Sequence, residues 1–311
     1  MKILFTGGSS FTGYWFAREL ASQGHDVFAV FRRQPHEYDN ELRRQRIEAV
    51  AKVTQPIYGT SFGDDKFIQL VRAVRFDVLC HHGAEAADYR SPHFDVLAAV
   101  GSNSRELQGV LALLKETGCT RIVLTGSVFE NDEGFGSSPE AFSPYGLSKA
   151  LTWQIFRYYA RTHQASLGKF VIPNPFGPFE EPRFTYYLIK NWFSGNLPTV
   201  NTPEYVRDNI HVSLLAKVYA RFVVEQPTGL SRINPSGYVE SQEAFARRFG
   251  RELGPRLGLK CAIETKAQTD FSEPRLRINR DVAAAAVQDF NEQRAWDELA
   301  DYYRHLMTAS G

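Results

Sequence analysis

The sequence predicts an α/β protein: a doubly wound parallel sheet of the Rossmann kind, with a smaller C-terminal lobe woven into it. Three observations carry that expectation. Strand-like and helix-like segments alternate through the first half of the chain, as in a parallel sheet covered by helices on both faces. A glycine-rich turn, Thr6-Gly-Gly-Ser-Ser-Phe-Thr-Gly13, lies between the first strand and the first helix. After residue 172 the alternation gives way to a stretch rich in proline and aromatic side chains.

The elements follow in order. Lys2-Ile-Leu-Phe5 is a short apolar run and so a buried strand, and Tyr14 to Gln23 is a helix closed by Gly24. His25 to Phe31 is the second strand. Leu42 to Lys52 reads as a helix, Pro56 to Tyr58 as a strand and Lys66 to Val74 as a helix. Phe76-Asp-Val-Leu-Cys80 is a fourth strand, followed by the small-residue turn His82-Gly-Ala84. Ser104 to Lys115 is amphipathic and ends near Gly118; the strand Arg121-Ile-Val-Leu-Thr125 comes next. Leu147 to Thr162 is helical and Lys169 to Ile172 is again a strand. Residues 173–206, with Pro173, Pro175, Pro178, Pro182, Tyr186, Tyr187 and Trp192, suit loops and short helices over a pocket. Regular patterning returns at Ile210 to Val224, with further helices around Ser241 to Leu253 and Trp296 to Leu306. The expected division is a dinucleotide-binding domain, 1–172 with 206–232, and a substrate lobe, 173–205 with 233–311.

Composition bounds the function. At 311 residues the chain can bury a full core. An apolar content of 43% and a charged content of 23% are those of an ordinary globular protein. The formal net charge of +1 argues against a nucleic-acid surface. No run of 18 apolar residues exists and the chain opens directly on a strand, so no membrane span or signal peptide is expected. Cys80, Cys119 and Cys261 are far apart and form no metal or disulfide pattern, which suits reduced thiols in the cytoplasm.

The chemistry is concentrated in Ser127, Tyr145 and Lys149. Tyrosine and lysine four residues apart share one face of a helix. An ammonium beside a phenol favours the phenolate, so such a tyrosine can exchange a proton with a carbinol or carbonyl oxygen. Ser127, on a loop just after an apolar strand, can hydrogen-bond the same oxygen. In the glycine turn Gly7 and Gly13 allow a tight bend, and the backbone amides around Phe11 and Thr12 can face a pyrophosphate. Ser10 stands where a middle glycine is usual, and its hydroxyl can itself donate to phosphate. An NAD site has an acid at the end of the second strand, whereas this chain has Arg32 and Arg33. Two guanidiniums suit a 2′-phosphate, so NADP is expected, with NAD as the alternative. Asp64, after Gly63, is expected to bind the adenine amine.

With these residues in view, the chain resembles an extended short-chain dehydrogenase/reductase, of the NAD-dependent epimerase/dehydratase type acting on nucleotide sugars. Further matching segments are Asp77-Val-Leu-Cys-His-His-Gly-Ala84, Ile122-Val-Leu-Thr-Gly-Ser127, Pro173-Asn-Pro-Phe-Gly-Pro178 and Arg207-Asp-Asn-Ile-His-Val212. The resemblance implies that Ser127 polarises the reacting oxygen, that Tyr145 exchanges its proton, and that Lys149 binds the nicotinamide ribose. It implies that Gly83 and Ala84 border the cofactor, and that Asn174 and Arg207 meet the nucleotide diphosphate. A second basic residue comes from Glu273-Pro-Arg-Leu-Arg-Ile-Asn279. Arg275 and Arg277 would share a strand face there, with Arg275 favoured. Dehydratases of the family carry an Asp-Glu pair directly after the hydroxyl residue; here Val128 and Phe129 follow, with Glu130, Asp132 and Glu133 as displaced acids. Asn103 stands near the family's structural asparagine, and the segment Glu130 to Phe142 is expected to cover the sugar.

Two activities fit this pattern: an NADPH-dependent reductase of a 4-keto-6-deoxy nucleotide sugar, and a nucleotide-sugar epimerase with tightly held NAD(P). A non-catalytic dinucleotide sensor and a reductase of non-sugar carbonyls fit less well, because both Tyr145 and Lys149 and a match to the diphosphate arginine are present. A homodimer is expected through the helices near 104–116 and 147–162, with Leu107, Val110, Leu111 and Leu114 as an apolar stripe.

Overall fold

A computed structural model describes residues 1–135 and 140–308. The chain opens with β1 (Lys2–Thr6), α1 (Phe11–Ser22), β2 (Asp26–Val30), α2 (Glu41–Ala51) and β3 (Gln55–Ile57). Next come α3 (Asp65–Ala73), β4 (Val78–His81), α4 (Val96–Asn103), α5 (Leu107–Glu116) and β5 (Arg121–Ser127). Then follow α6 (Pro144–Thr162), β6 (Ser166–Ile172), β7 (Asn174–Phe176), α7 (Phe184–Phe193) and β8 (Thr199–Val200). β9 (Val206–His211), α8 (Val212–Glu225), β10 (Leu230–Ile233), β11 (Pro235–Ser236) and β12 (Tyr238–Ser241) come after them. α9 (Gln242–Leu257), β13 (Glu264–Thr265), β14 (Leu276–Arg277), β15 (Asp281–Val282), α10 (Ala283–Ala286) and α11 (Glu292–Thr308) complete the chain.

The chain forms two compact units: 1–133, 138–172 and 216–234, and 134–137, 173–215 and 235–311. The first holds a seven-stranded sheet in the order β10-β6-β5-β4-β1-β2-β3, parallel throughout. Its central strands are buried on both faces, which is why β1, β4 and β5 read as nearly continuous apolar runs. One face packs Leu4, Leu79, Ile122 and Leu124 against Val110, Leu111 and Phe156 of α5 and α6.

The second unit has its own apolar cluster, in which Phe176, Trp192, Phe249 and Trp296 meet. Its sheet joins β9 to β7, β12 and β14. β9, with Arg207, therefore sits in this unit and not, as the sequence division had it, in the dinucleotide domain.

Three element expectations are corrected. The helix expected over Ser104 to Lys115 is α5, which begins only at Leu107, after Glu106 in the left-handed region (φ 50°); α4 before it was not expected. Leu107, Val110, Leu111 and Leu114 all belong to the first unit's core, so they do not form an exposed pairing stripe. Ser127 is the last residue of β5 and not part of a loop. The expected cover, Glu130 to Phe142, includes residues 136–139, which lie outside the described residues.

Candidate active site

The glycine turn is shaped by what surrounds it. Ser10, in an extended conformation, caps α1 by accepting the Gly13 N–H at 3.1 Å. A Cβ on Gly13 would lie 2.1 Å from the Gly7 carbonyl oxygen, and one on Gly7 (φ +84°) 2.6 Å from the Gly83 nitrogen. Only glycine closes this turn against the end of β4. The amides of Phe11 and Thr12 remain at the open end of the helix, which suits a pyrophosphate.

The Ser10 hydroxyl is spent within the turn: it donates to the Gly7 carbonyl at 3.0 Å and meets His82 Nε2 at 2.9 Å. A phosphate contact at Ser10, as expected from the sequence, would compete with these partners. His82 also meets Thr12 Oγ1 at 3.2 Å and, through Nδ1, Thr125 Oγ1 at 3.0 Å. It thus ties the start of α1 to β5. Its neighbour His81 bridges Thr6 Oγ1 and the Asn103 carbonyl oxygen, each at 3.0 Å. Burial pushes both imidazoles down to about 3, so they are neutral bridges. Asn103 is buried, and its Oδ1 accepts the Glu85 N–H at 2.8 Å.

At the end of β2, Arg32 and Arg33 are both exposed. Arg32 Nη1 lies 3.0 Å from Glu85 Oε2. A carboxylate therefore does reach this strand end, from the turn after β4, which local sequence could not reveal. Asp64 is the N-cap of α3; its oxygens accept the Ser61 and Phe67 N–H groups at 2.7 and 2.8 Å. That capping role is one the adenine expectation had not included.

The residues expected to react lie on β5 and α6. Ser143 caps α6 by accepting the Gly146 N–H at 3.1 Å, and Pro144 occupies the first turn, where its missing N–H is harmless. Lys149 is buried and donates to the Thr125 carbonyl at 2.6 Å. Its ammonium is pushed down to about 8, chiefly by burial and further by Lys169, against an opposing pull from Glu130. Ser127 Oγ accepts the Phe129 N–H at 3.2 Å. Tyr145 is half-buried, with the rings of Tyr89, Phe129 and Phe94 at 5.4, 5.9 and 6.0 Å. This aromatic surround carried no local sequence signal.

Glu130 is not a displaced dehydratase acid presented to a substrate. It is fully buried and lies 2.6 Å from the Lys169 ammonium. Among the described residues, Glu130, Asp132 and Glu133 form the one acidic group compact enough to hold a metal ion. Lys169 already supplies a cation there, 2.6 Å from Glu133 as well. The sequence signal was a single lysine within an apolar strand.

In the second unit Asn174 is half-buried on β7, in register with Asn209 of β9. Arg207 is buried and committed internally. Nη1 donates to the carbonyls of Val206, Pro274 and Arg275 at 3.0, 3.0 and 3.1 Å, and Nη2 meets Glu273 at 3.1 Å. Arg277 lies in register beside it and meets the same Glu273 oxygen at 2.9 Å. Arg275 is exposed, pairs with Glu204 at 2.6 Å and stacks over Phe271. Arg275 and Arg277 therefore do not share an environment, and Arg277, not Arg275, is the partner of Arg207.

The parallel sheet, the glycine turn at β1 and α1, and the Ser127, Tyr145 and Lys149 set define an enzyme of the extended short-chain dehydrogenase/reductase class. The NAD dependent epimerase/dehydratase family profile matches residues 3–232, and the chain belongs to that family. No curated protein matches the sequence. Among solved structures, the fold resembles the UDP-glucose 4-epimerase of Thermotoga maritima with UDP-glucose (TM-score 0.74, 18% identity, covering 99% of this chain and 100% of that one). It also resembles the UDP-glucuronic acid 4-epimerase of Bacillus cereus in complex with UDP-glucuronic acid and NAD (TM-score 0.77, 18% identity, 98% and 100% covered). A third similar structure is DesIV, the dTDP-glucose 4,6-dehydratase of Streptomyces venezuelae, with NAD bound (TM-score 0.73, 19% identity, 99% and 98% covered).

Proposed function

We propose that the protein catalyses the NADPH-dependent reduction of the keto group of a nucleotide-linked 4-keto-6-deoxy sugar. The observation that carries this reading is the pair of exposed guanidiniums, Arg32 and Arg33, at the end of β2. A 2′-phosphate is the natural ligand of such a pair, and a net reduction is ordinarily fed by NADPH.

A dihydronicotinamide held at this site would supply the hydride. Tyr145 Oη delivers the proton to the substrate's carbonyl oxygen, and Ser127 Oγ hydrogen-bonds that oxygen as charge develops on it. Lys149, anchored on the Thr125 carbonyl one helical turn from Tyr145, stabilises the phenolate that remains. Phe11, Thr12, Gly13, Gly83 and Ala84 frame the cofactor's phosphates, and Asp64 keeps an adenine role beside its cap. We assign the diphosphate to Asn174, Arg207 and Arg277 of the second unit; its two negative charges would replace Glu273 as partner of the guanidiniums.

A second reading, a nucleotide-sugar epimerase with retained NAD, is favoured by Glu85. Its carboxylate lies at the β2 end, where an acid can take a ribose 2′-OH and repel a 2′-phosphate. Fluorescence titration of the purified protein with NADPH and NADH, after assay for retained nucleotide, separates the two. Preference for NADPH with no retained cofactor is the expected result. Retained NAD, or preference for NADH, would overturn the Arg32 and Arg33 assignment and make the epimerase the leading reading.

The homodimer belongs to this proposal too. Its pairing face is the exposed side of α6, where Leu147, Leu151 and Tyr158 lie open.

A further inference from the structure

Beneath Ser127 lies a chain of buried charges that the proton path does not use. Glu130 Oε1 accepts the Ser127 N–H at 2.8 Å, and Glu130 Oε2 lies 2.6 Å from Lys169 Nζ. Lys169, on β6 opposite Leu124 of β5, is as fully buried as Glu130 and also meets Glu133 at 2.6 Å. Glu133 in turn takes the Arg232 guanidinium and, at 2.8 Å, Asn234 Nδ2. Trp153 of α6 sets its ring 5.0 Å from the Lys169 ammonium. Any side chain at Gly126 would collide with this pair, since a Cβ there lies 2.8 Å from both Glu130 Oε1 and Lys169 Cε.

A buried ion pair is a poor way to gain stability, because apolar side chains of similar volume avoid the desolvation cost. Its position suggests another use. Ser127 is held by Glu130, and Lys149 is anchored on Thr125, two residues earlier on the same strand. We propose that Glu130 is a positioning residue for the reaction: it holds Ser127 through the backbone amide and, by offsetting Lys169, keeps Lys149 charged. The proposal rests on the roles assigned above to Ser127 and Lys149.

The groups facing Lys149 give the sign. Lys169 from β6 is a like charge and Glu130 an opposite one. His81 and His82 at the end of β4 are held neutral, and Tyr145 lies on the same helix face. Glu130→Gln keeps an acceptor for the Ser127 amide but removes the charge, so Lys149 loses its opposite charge and Lys169 keeps only Glu133 as a partner. Lys169→Met has the opposite effect, and the double variant removes both charges.

Lys149 can be read directly by acetylation with acetic anhydride across pH, followed by mass spectrometry, since only the neutral amine reacts. At pH 7 we expect labelling of Lys149 to rise about threefold or more in E130Q, to fall in K169M, and to return close to the parent level in E130Q/K169M. NADPH affinity at pH 7 should weaken in E130Q and recover in the double variant. Unchanged labelling in both E130Q and K169M would overturn the proposal. Labelling that shifts as expected while NADPH affinity stays constant would support the charge coupling and overturn instead the cofactor role of Lys149. Because the two single variants move labelling in opposite directions, a general loosening of the fold cannot imitate the pattern.

Discussion

At Lys149 one side chain is asked to stay charged in a place that disfavours charge. Burial holds its ammonium near 8 instead of the ordinary 10.5, so between those values the native protein binds fewer protons than the unfolded chain. Stability at this residue is therefore lowest below about 8 and recovers as pH rises toward 10.5. Lys149→Met should stabilise the cofactor-free protein at pH 7 by about 1–2 kcal/mol in a urea melt while NADPH affinity falls. A destabilised variant would count against this account of the lysine. Gly13→Ala is the reverse case, because its Cβ would press on the Gly7 carbonyl oxygen at 2.1 Å. It should cost about 2–3 kcal/mol and weaken NADPH binding. Tyr145 and Lys149 were legible because their spacing is itself the chemistry. The partners of Ser10, Arg207 and Glu130 were not, because each is claimed by residues far away in sequence: His82, Glu273 and Lys169.

Helices and strands were legible where periodicity and caps agree. α1, α3 and α6 each begin with a side-chain cap, from Ser10, Asp64 and Ser143, and each lies within a few residues of its expected span. α4 was missed although Asp95 caps it by accepting the Ala98 N–H at 2.9 Å. That acid was the available signal, obscured by the polar segment before it. The cap at α3 gives a direct test. Asp64→Ala should cost about 1 kcal/mol of stability as a lost N-cap. An accompanying loss of NADPH affinity beyond that of a stability-matched α3 variant supports the adenine contact; stability loss with affinity intact leaves only the cap. At α6, Leu151→Glu together with Tyr158→Glu should convert a dimer to a monomer in sedimentation velocity. A variant sedimenting like its parent would remove this face as the pairing surface.

For the whole molecule, acid should be damaging. His81, His82 and His211 are buried with pKa values near 3, whereas the unfolded chain takes up protons near 6.5. As pH falls from 6.5 toward 3, each histidine removes up to about 1.4 kcal/mol per pH unit. Glu180, raised by burial to about 7, opposes this between 4.5 and 7, since the native state there holds a proton that the unfolded chain releases. Urea midpoints at pH 7, 6 and 5 should therefore decline, and less steeply in His211→Asn. A flat profile would mean that these histidines ionise in the folded protein.

By itself the sequence determined the class of protein. Alternation of strand and helix segments pointed to a parallel sheet, a glycine turn marked the start of α1, and a Tyr-x-x-x-Lys helix carried the residues expected to react. These are local properties, set by backbone sterics and by side chains within one helical turn. The tertiary structure alone decided which charges meet: Glu85 with Arg32, Glu273 with Arg207, and Glu130 with Lys169 beneath Ser127. Each pair joins segments far apart in the chain, and such a meeting depends on how strands are ordered and packed within a unit, which no local pattern of residues encodes.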